Sequence, residues 1–287
     1  MSARINILKT YKLFIDGKFP RTESGRYFIY KNNKGESLAN MCNASKKDFR
    51  DAVVAARKAQ PSWALRSAYN KSQILYRIAE MLEGRSEQFV AELLDQGMSR
   101  SKATAEVAVA VDRLVYYAGW CDKFQQVFSA VNPVESSHFN FSVPEPSGVI
   151  SALAPEVSGL AGLISVIAPA IAGGNTIIVL ASSLYPLTAI TLAEVLHTSD
   201  LPGGVVNILT GFTSELASSF ANHMDVNACI YCGSDDAVIR SMEELAAVNV
   251  KRPIVLQYKD WLLQEVQSPY RILELQEIKT TWHPIGQ

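Results

Sequence analysis

Residues 148–257 carry five short apolar runs: GVISALA (148–154), NTIIVLA (175–181), GVVNILT (204–210), ACIYC (228–232) and PIVLQ (253–257). Helix-like stretches such as residues 186–196 and 235–247 lie between them. Near-continuous apolarity marks strands covered on both faces, and parallel neighbours need a crossover long enough to hold a helix. The expected fold is α/β, with a Rossmann-like parallel sheet at its centre.

Upstream of this sheet the periodicity changes twice. Residues 11–41 read as extended, with KLFIDGKF placing a DG turn between apolar segments and SGRYFIY alternating around aromatic residues. Ser45 with Asp48 forms a capping-box start. Phe49, Ala52, Val53 and Ala56 then fall at helical spacing up to a stop near Pro61. Further helices are expected after Asn70, over residues 86–97, and over residues 101–128 with Val107, Val111, Leu114, Ala118 and Cys121 on the apolar stripe. Beyond Ala130, HFNFSVPEP returns to the two-residue period of a strand.

Composition narrows the function classes. With 27 Lys+Arg against 28 Asp+Glu the chain lacks the basic surplus of a phosphate-driven nucleic-acid binder. Four cysteines (Cys42, Cys121, Cys229, Cys232) are too few for a disulfide scaffold, which favours a reducing, cytoplasmic setting. The N-terminal MSARINILKTYKLFIDG shows no signal-peptide pattern. The apolar residues 158–174 include Pro169 and four glycines and read as a buried helix, so no membrane partner is expected. Cys229 and Cys232 form a lone CxxC without a second ligand pair, and His138, His197, His223 and His283 are scattered, so no metal site is expected. GxGxxG, HExxH, GxSxG and Walker patterns are absent.

Eight phrases in order resemble one family: LFIDGKF, AVVAARKAQPSW, YYAGWCDKFQ, EPSGVI, PAIAGGNTIIV, PLTAITLAEVL, LPGGVVNILTG and ACIYCGS. Over residues 11–257 the sequence is similar to the aldehyde dehydrogenases. The resemblance implies a cofactor domain, a catalytic domain and a small β oligomerisation arm. It also implies a chemistry: thiolate attack on an aldehyde, an asparagine and a backbone N–H for the oxyanion, hydride transfer to NAD(P), and a glutamate base.

The residues that such chemistry needs are replaced. Where the family has PWNFP this chain has residues 155–159, PEVSG, so Val157 stands in the asparagine's place. Loss of one oxyanion donor costs roughly 10²- to 10³-fold in rate. The family's LELGGK aligns with LQYK, placing Gln257 where the glutamate belongs. The lysine and glutamate of KPxE, which hold the adenosine ribose, become Leu180 and Ser183. Gly211, Gly233 and Ser234 match the pyrophosphate loop and are the cofactor-binding candidates that the resemblance implies, although Asp235 and Asp236 put negative charge at that helix start. NAD(P) binding is thus possible in outline and disfavoured in detail.

Only thirty residues follow Gln257, and PYRILELQEIKTTWHPIG within them resembles the family's last arm strand. The implied organisation is N-terminal strands and helices over 11–130, an oligomerisation hairpin strand over 131–147, the Rossmann-like domain over 148–257, a linker over 258–267 in place of the catalytic domain, and a C-terminal oligomerisation strand over 268–287. The expectation is a non-catalytic subunit, a pseudoenzyme, assembling through its arm with a full-length aldehyde dehydrogenase or with itself. The alternatives are an NAD(P)-dependent aldehyde oxidoreductase and a nucleotide-binding module without chemistry.

Overall fold

The computed structural model describes residues 7–286. The first six residues of the N-terminal stretch read above for a signal peptide lie outside them.

The chain opens with β1 (Thr10–Tyr11), β2 (Tyr27–Lys31) and β3 (Ser37–Cys42), which form a small sheet in the order β1-β3-β2. The DG turn between β1 and β2 has left-handed backbone at Asp16 (φ 54°) and Gly17 (φ 69°), the geometry a tight hairpin requires. This hairpin brings Phe14 against Ile208, with backbone hydrogen bonds of 2.9 and 2.8 Å.

Helix α1 (Lys46–Ala64) starts on the Ser45–Asp48 capping box, and Asp48 also accepts from Thr22 Oγ1 at 2.6 Å and Glu23 N at 3.0 Å. The helix runs one turn past the expected stop at Pro61. Trp63 lies fully buried there, and its Nε1 donates to Ile171 O at 3.0 Å, which holds that last turn in place. Helix α2 (Ala68–Glu83) begins earlier than Asn70 because Ser67 caps it; α3 (Ser86–Asp95) follows. The single helix expected over 101–128 is two, α4 (Arg100–Trp120) and α5 (Phe124–Phe128); the intervening turn places Cys121 and Phe124 in the core.

Next come β4 (Ala130–Asn132) and β5 (His138–Pro146), so residues 131–147 hold an antiparallel pair rather than one strand. The large sheet then forms from β6 (Val149–Leu153), α6 (Ala161–Ala172), β7 (Thr176–Leu180), α7 (Pro186–His197), β8 (Val206–Leu209), α8 (Thr213–Asn222), β9 (Ala228–Tyr231), α9 (Asp236–Ala247) and β10 (Arg252–Val255). Its five strands are all parallel in the order β10-β9-β6-β7-β8. The chain winds outward from β6 through β7 to β8 and then returns to β9 on the other side. The switch point therefore lies at the C-terminal ends of β6 and β9, where open α/β sheets form their ligand crevice. The apolar run 158–174 supplies α6, buried along its whole length; no helix among the described residues is long and apolar enough to cross a membrane.

After β10 the chain does not run as a loose linker. Trp261 and Val266 are buried, the latter in a short 3₁₀ turn (Gln264–Val266). Arg113 Nη2 donates to Leu263 O at 3.0 Å and Tyr117 Oη to Ser268 O at 3.2 Å. Residues 268–275, expected as strand, instead form α10 (Tyr270–Leu273) and a turn, because Ile272 and Leu275 insert into the main core. Strand β11 (Gln276–Pro284) then pairs antiparallel with β5, in register from Gln276–Pro146 to Pro284–His138. The result is a three-stranded arm ordered β11-β5-β4.

Candidate functional site

A cleft of about 750 Å³ opens at the sheet's switch point, between the turns that follow β6, β9 and β10. Each turn brings its own chemistry. After β6 the chain presents Glu156 and Val157. The Glu156 side chain turns toward the end of β7, where its Oε2 accepts from Ser183 N (2.7 Å), Ser183 Oγ (3.0 Å), Ser182 Oγ (3.2 Å) and Leu184 N (3.3 Å). These contacts fix the carboxylate against the end of β7. Val157 is half exposed and offers the cleft only a branched apolar side chain.

After β9 the turn Cys232–Asp235 leads into α9. Asp235 is the N-cap, its Oδ1 accepting from Ala237 N at 2.9 Å and Val238 N at 3.3 Å. The amides that would greet an anion at this helix start are thereby already partnered. Gly233 lies under the Tyr231 ring: a Cβ there would stand 2.5 Å from both Cζ and Oη of Tyr231, so only glycine permits this contact. Burial raises the Tyr231 hydroxyl above the ordinary phenol range, and the nearby carboxylates of Asp235 and Glu156 push it the same way against a hydrogen bond from the Asp235 backbone.

After β10, Gln257 lies exposed at the rim, Leu256 lines the floor, and Tyr258 packs edge-on against Trp261 with ring centroids 5.2 Å apart. Lys259 is the one basic side chain in the lining.

The sequence candidates separate on this map. Gly233 and Ser234 line the cleft together with Val157 and Gln257. Gly211 does not: it sits at the end of β8, where a Cβ would come within 2.9 Å of Asn43 Oδ1, and it serves the contact between the N-terminal segment and the sheet. Leu180 is buried in β7, and Ser183 is committed to Glu156. Sequence reading missed Glu156 and the Tyr258–Trp261 wall. The partners of Glu156 lie twenty-six to twenty-eight residues away, so no local pattern marks it.

Of the four cysteines, only Cys232 lines the cleft. All four cysteines are free and buried. Burial pushes the Cys229 thiol up to about 11 and the Cys121 thiol up to about 12, and it raises Cys232, the one cysteine in the lining, as well. Cys229 and Cys232 belong to separate apolar clusters, which matches the expectation of ordinary core residues. No grouping of His, Cys, Asp and Glu among the described residues could hold a metal ion.

Fold and motif positions now meet the comparison with known proteins: the aldehyde dehydrogenase family model matches residues 20–257. The chain belongs to that family. It is 33% identical to DhaS of Bacillus subtilis (strain 168) over 248 residues, spanning 85% of this chain and 49% of DhaS. It is 34% identical over 244 residues to the mitochondrial aldehyde dehydrogenase of Leishmania tarentolae, covering 84% of this chain and 48% of that one. The structure of the Bacillus cereus aldehyde dehydrogenase in complex with NAD+ superposes with a TM-score of 0.81 at 27% identity, over 86% of this chain and 50% of that one. The chain thus spans about half the length of the relatives it matches.

The residues present do not fit NAD(P) well. The positions that the family resemblance assigns to ribose anchors hold Leu180 and Ser183, the α9 amides are capped by Asp235, and Tyr231 covers Gly233. A dinucleotide phosphate would have to displace a carboxylate and then lie beside two others, Asp236 and Glu156.

Proposed function

We propose that this aldehyde dehydrogenase family chain is a non-catalytic subunit that assembles through its β arm with a full-length aldehyde dehydrogenase. The observation that carries the reading is the arm itself. Strand β11 zips onto β5 along its whole length, while the segment between β10 and β11 is too short for a catalytic domain and is packed into the core. Among the described residues the outer edge of β11 has no strand neighbour, and Phe139, Ile278 and Trp282 are about half exposed on the arm. An open strand edge with apolar side chains invites strand addition from another chain. A homodimer closed through the same arm is the second reading.

Side chains support the non-catalytic reading: Val157 and Gln257 stand at the positions that the family resemblance assigns to the oxyanion donor and the base, and burial raises the Cys121, Cys229 and Cys232 thiols. A thiol held near 11–12 is ionised to about one part in 10⁴ to 10⁵ at pH 7. The purified chain is expected to form no reduced nicotinamide from NAD or NADP with acetaldehyde or benzaldehyde. In a thiol-reagent titration at about pH 8, none of the four cysteines reacts in the native state and all four react after unfolding. Aldehyde-dependent reduction, or a single fast native thiol, overturns the non-catalytic reading.

A further inference from the structure

The cleft's walls differ in origin. Its floor and its first two turns come from the family-matched residues. Tyr258, Lys259 and Trp261 come from beyond residue 257, where the family match ends. The site is therefore a composite belonging to this chain, and its chemistry has to be read from its own side chains.

Three aromatic residues, Tyr231, Tyr258 and Trp261, line it alongside the apolar Val157, Val238 and Leu256. Two carboxylates, Glu156 and Asp235, line it as well, both close enough to the Tyr231 hydroxyl to act on it. Each has one oxygen engaged by the protein, Glu156 through Oε2 and Asp235 through Oδ1, and among the described residues the second oxygen of each has no hydrogen bond. Against them stands Lys259, exposed and on a flexible stem that can carry its charge into water. Carboxylates and aromatic side chains lining one cleft form an environment that recognises organic ammonium ions, while an anion meets repulsion from both carboxylates and finds the α9 amides taken. The volume suits a ligand of small-drug size.

We propose that this cleft is a binding site for an organic ammonium ion carrying an aromatic ring. The ammonium group lies between the free oxygens of Glu156 and Asp235, over the Tyr231 ring, and the aromatic group lies against Tyr258 and Leu256. This site stands whether or not the chain is a subunit of a larger enzyme, since none of its lining residues belongs to the arm.

The test uses one ring with three charges. Phenethylammonium, 2-phenylethanol and phenylacetate are titrated into the full chain by calorimetry, with NAD as a fourth probe. Phenethylammonium is expected to bind at least about tenfold more tightly than the alcohol, and phenylacetate and NAD more weakly than either. Glu156→Gln is expected to weaken phenethylammonium about tenfold. Asp235→Asn, which keeps an oxygen for the helix cap, does the same with an unchanged unfolding midpoint, so the loss is not one of folding. The proposal is overturned if phenethylammonium binds no better than the alcohol, if it does not bind at all, if NAD binds as tightly, or if both variants leave its affinity unchanged.

Discussion

Replacing Glu106 by alanine is expected to lower the free energy of unfolding by about 3–5 kcal/mol, as for one member of a buried charged network removed alone. Glu106 is fully buried on α4, and its Oε2 accepts from Ala161 N (2.8 Å), Ser158 Oγ (3.0 Å) and Leu160 N (3.3 Å). The N-cap residue Leu160 offers α6 no side-chain cap; Ser158 Oγ accepts from Gly162 N at 2.8 Å, and this carboxylate from a distant helix satisfies the amides of Leu160 and Ala161. Arg113, one turn pair further along α4 and also buried, donates to Ala161 O at 3.3 Å and to Ser165 Oγ. Burial lowers the pKa of its guanidinium, and Glu106 is among the groups that counter this. Alanine strands three donors and removes that counter-charge. Glu106→Gln keeps an acceptor and is expected to cost about 1–2 kcal/mol. Denaturant unfolding reads both as a shift of midpoint at constant slope; an alanine variant within about 1 kcal/mol of the parent contradicts the capping role.

This contact also shows where sequence reading stops. Glu106, Ala110 and Arg113 are buried beside the α4 stripe read from Val107, Val111, Leu114, Ala118 and Cys121, and two charges buried there make sense only once α6 is seen against them. The five strands of the large sheet were legible because burial on both faces writes continuous apolarity into the chain. The capping box at Ser45 was legible because both its members lie within one turn. Breaks that depend on a distant contact were not: Pro61 did not end α1, because Trp63 is anchored to α6, and the turn at Cys121–Lys123 leaves no mark in the helical period. Val157, Gln257, Gly233 and Ser234, singled out by motif position, line the cleft. Gly211 fell elsewhere because β8 lies at the sheet's far edge from β9 and β10. Glu156 is held by long-range contacts that no short motif records.

The second large effect is expected at Trp261. This side chain is 3% exposed in the main core, and Trp261→Ala is expected to cost about 3–5 kcal/mol, as for other large-to-small changes of buried aromatics. The loss should be regional. The segment between β10 and β11 hangs on Trp261, Val266, Ile272 and Leu275 and on bonds such as Arg252 Nη1 to Gln276 O at 2.7 Å and Asn175 Nδ2 to Leu275 O at 2.9 Å. Amide exchange in the variant should speed up across residues 258–275 and leave β6, β7 and β9 protected. Unchanged stability and exchange would mean that the segment is a surface strap. The account of a fold closed without a catalytic domain would then lose its main support.

The central claim is that the arm joins this chain to a full-length aldehyde dehydrogenase, and the most direct measurement is the mass of the native complex. The tagged chain is drawn from its own cells and its complex is weighed by light scattering, with a companion lacking residues 276–284 as the control. The account predicts a mass that includes a full-length aldehyde dehydrogenase subunit, lost in the control. A monodisperse homodimer, a monomer, or a heteromer that persists without β11 contradicts it.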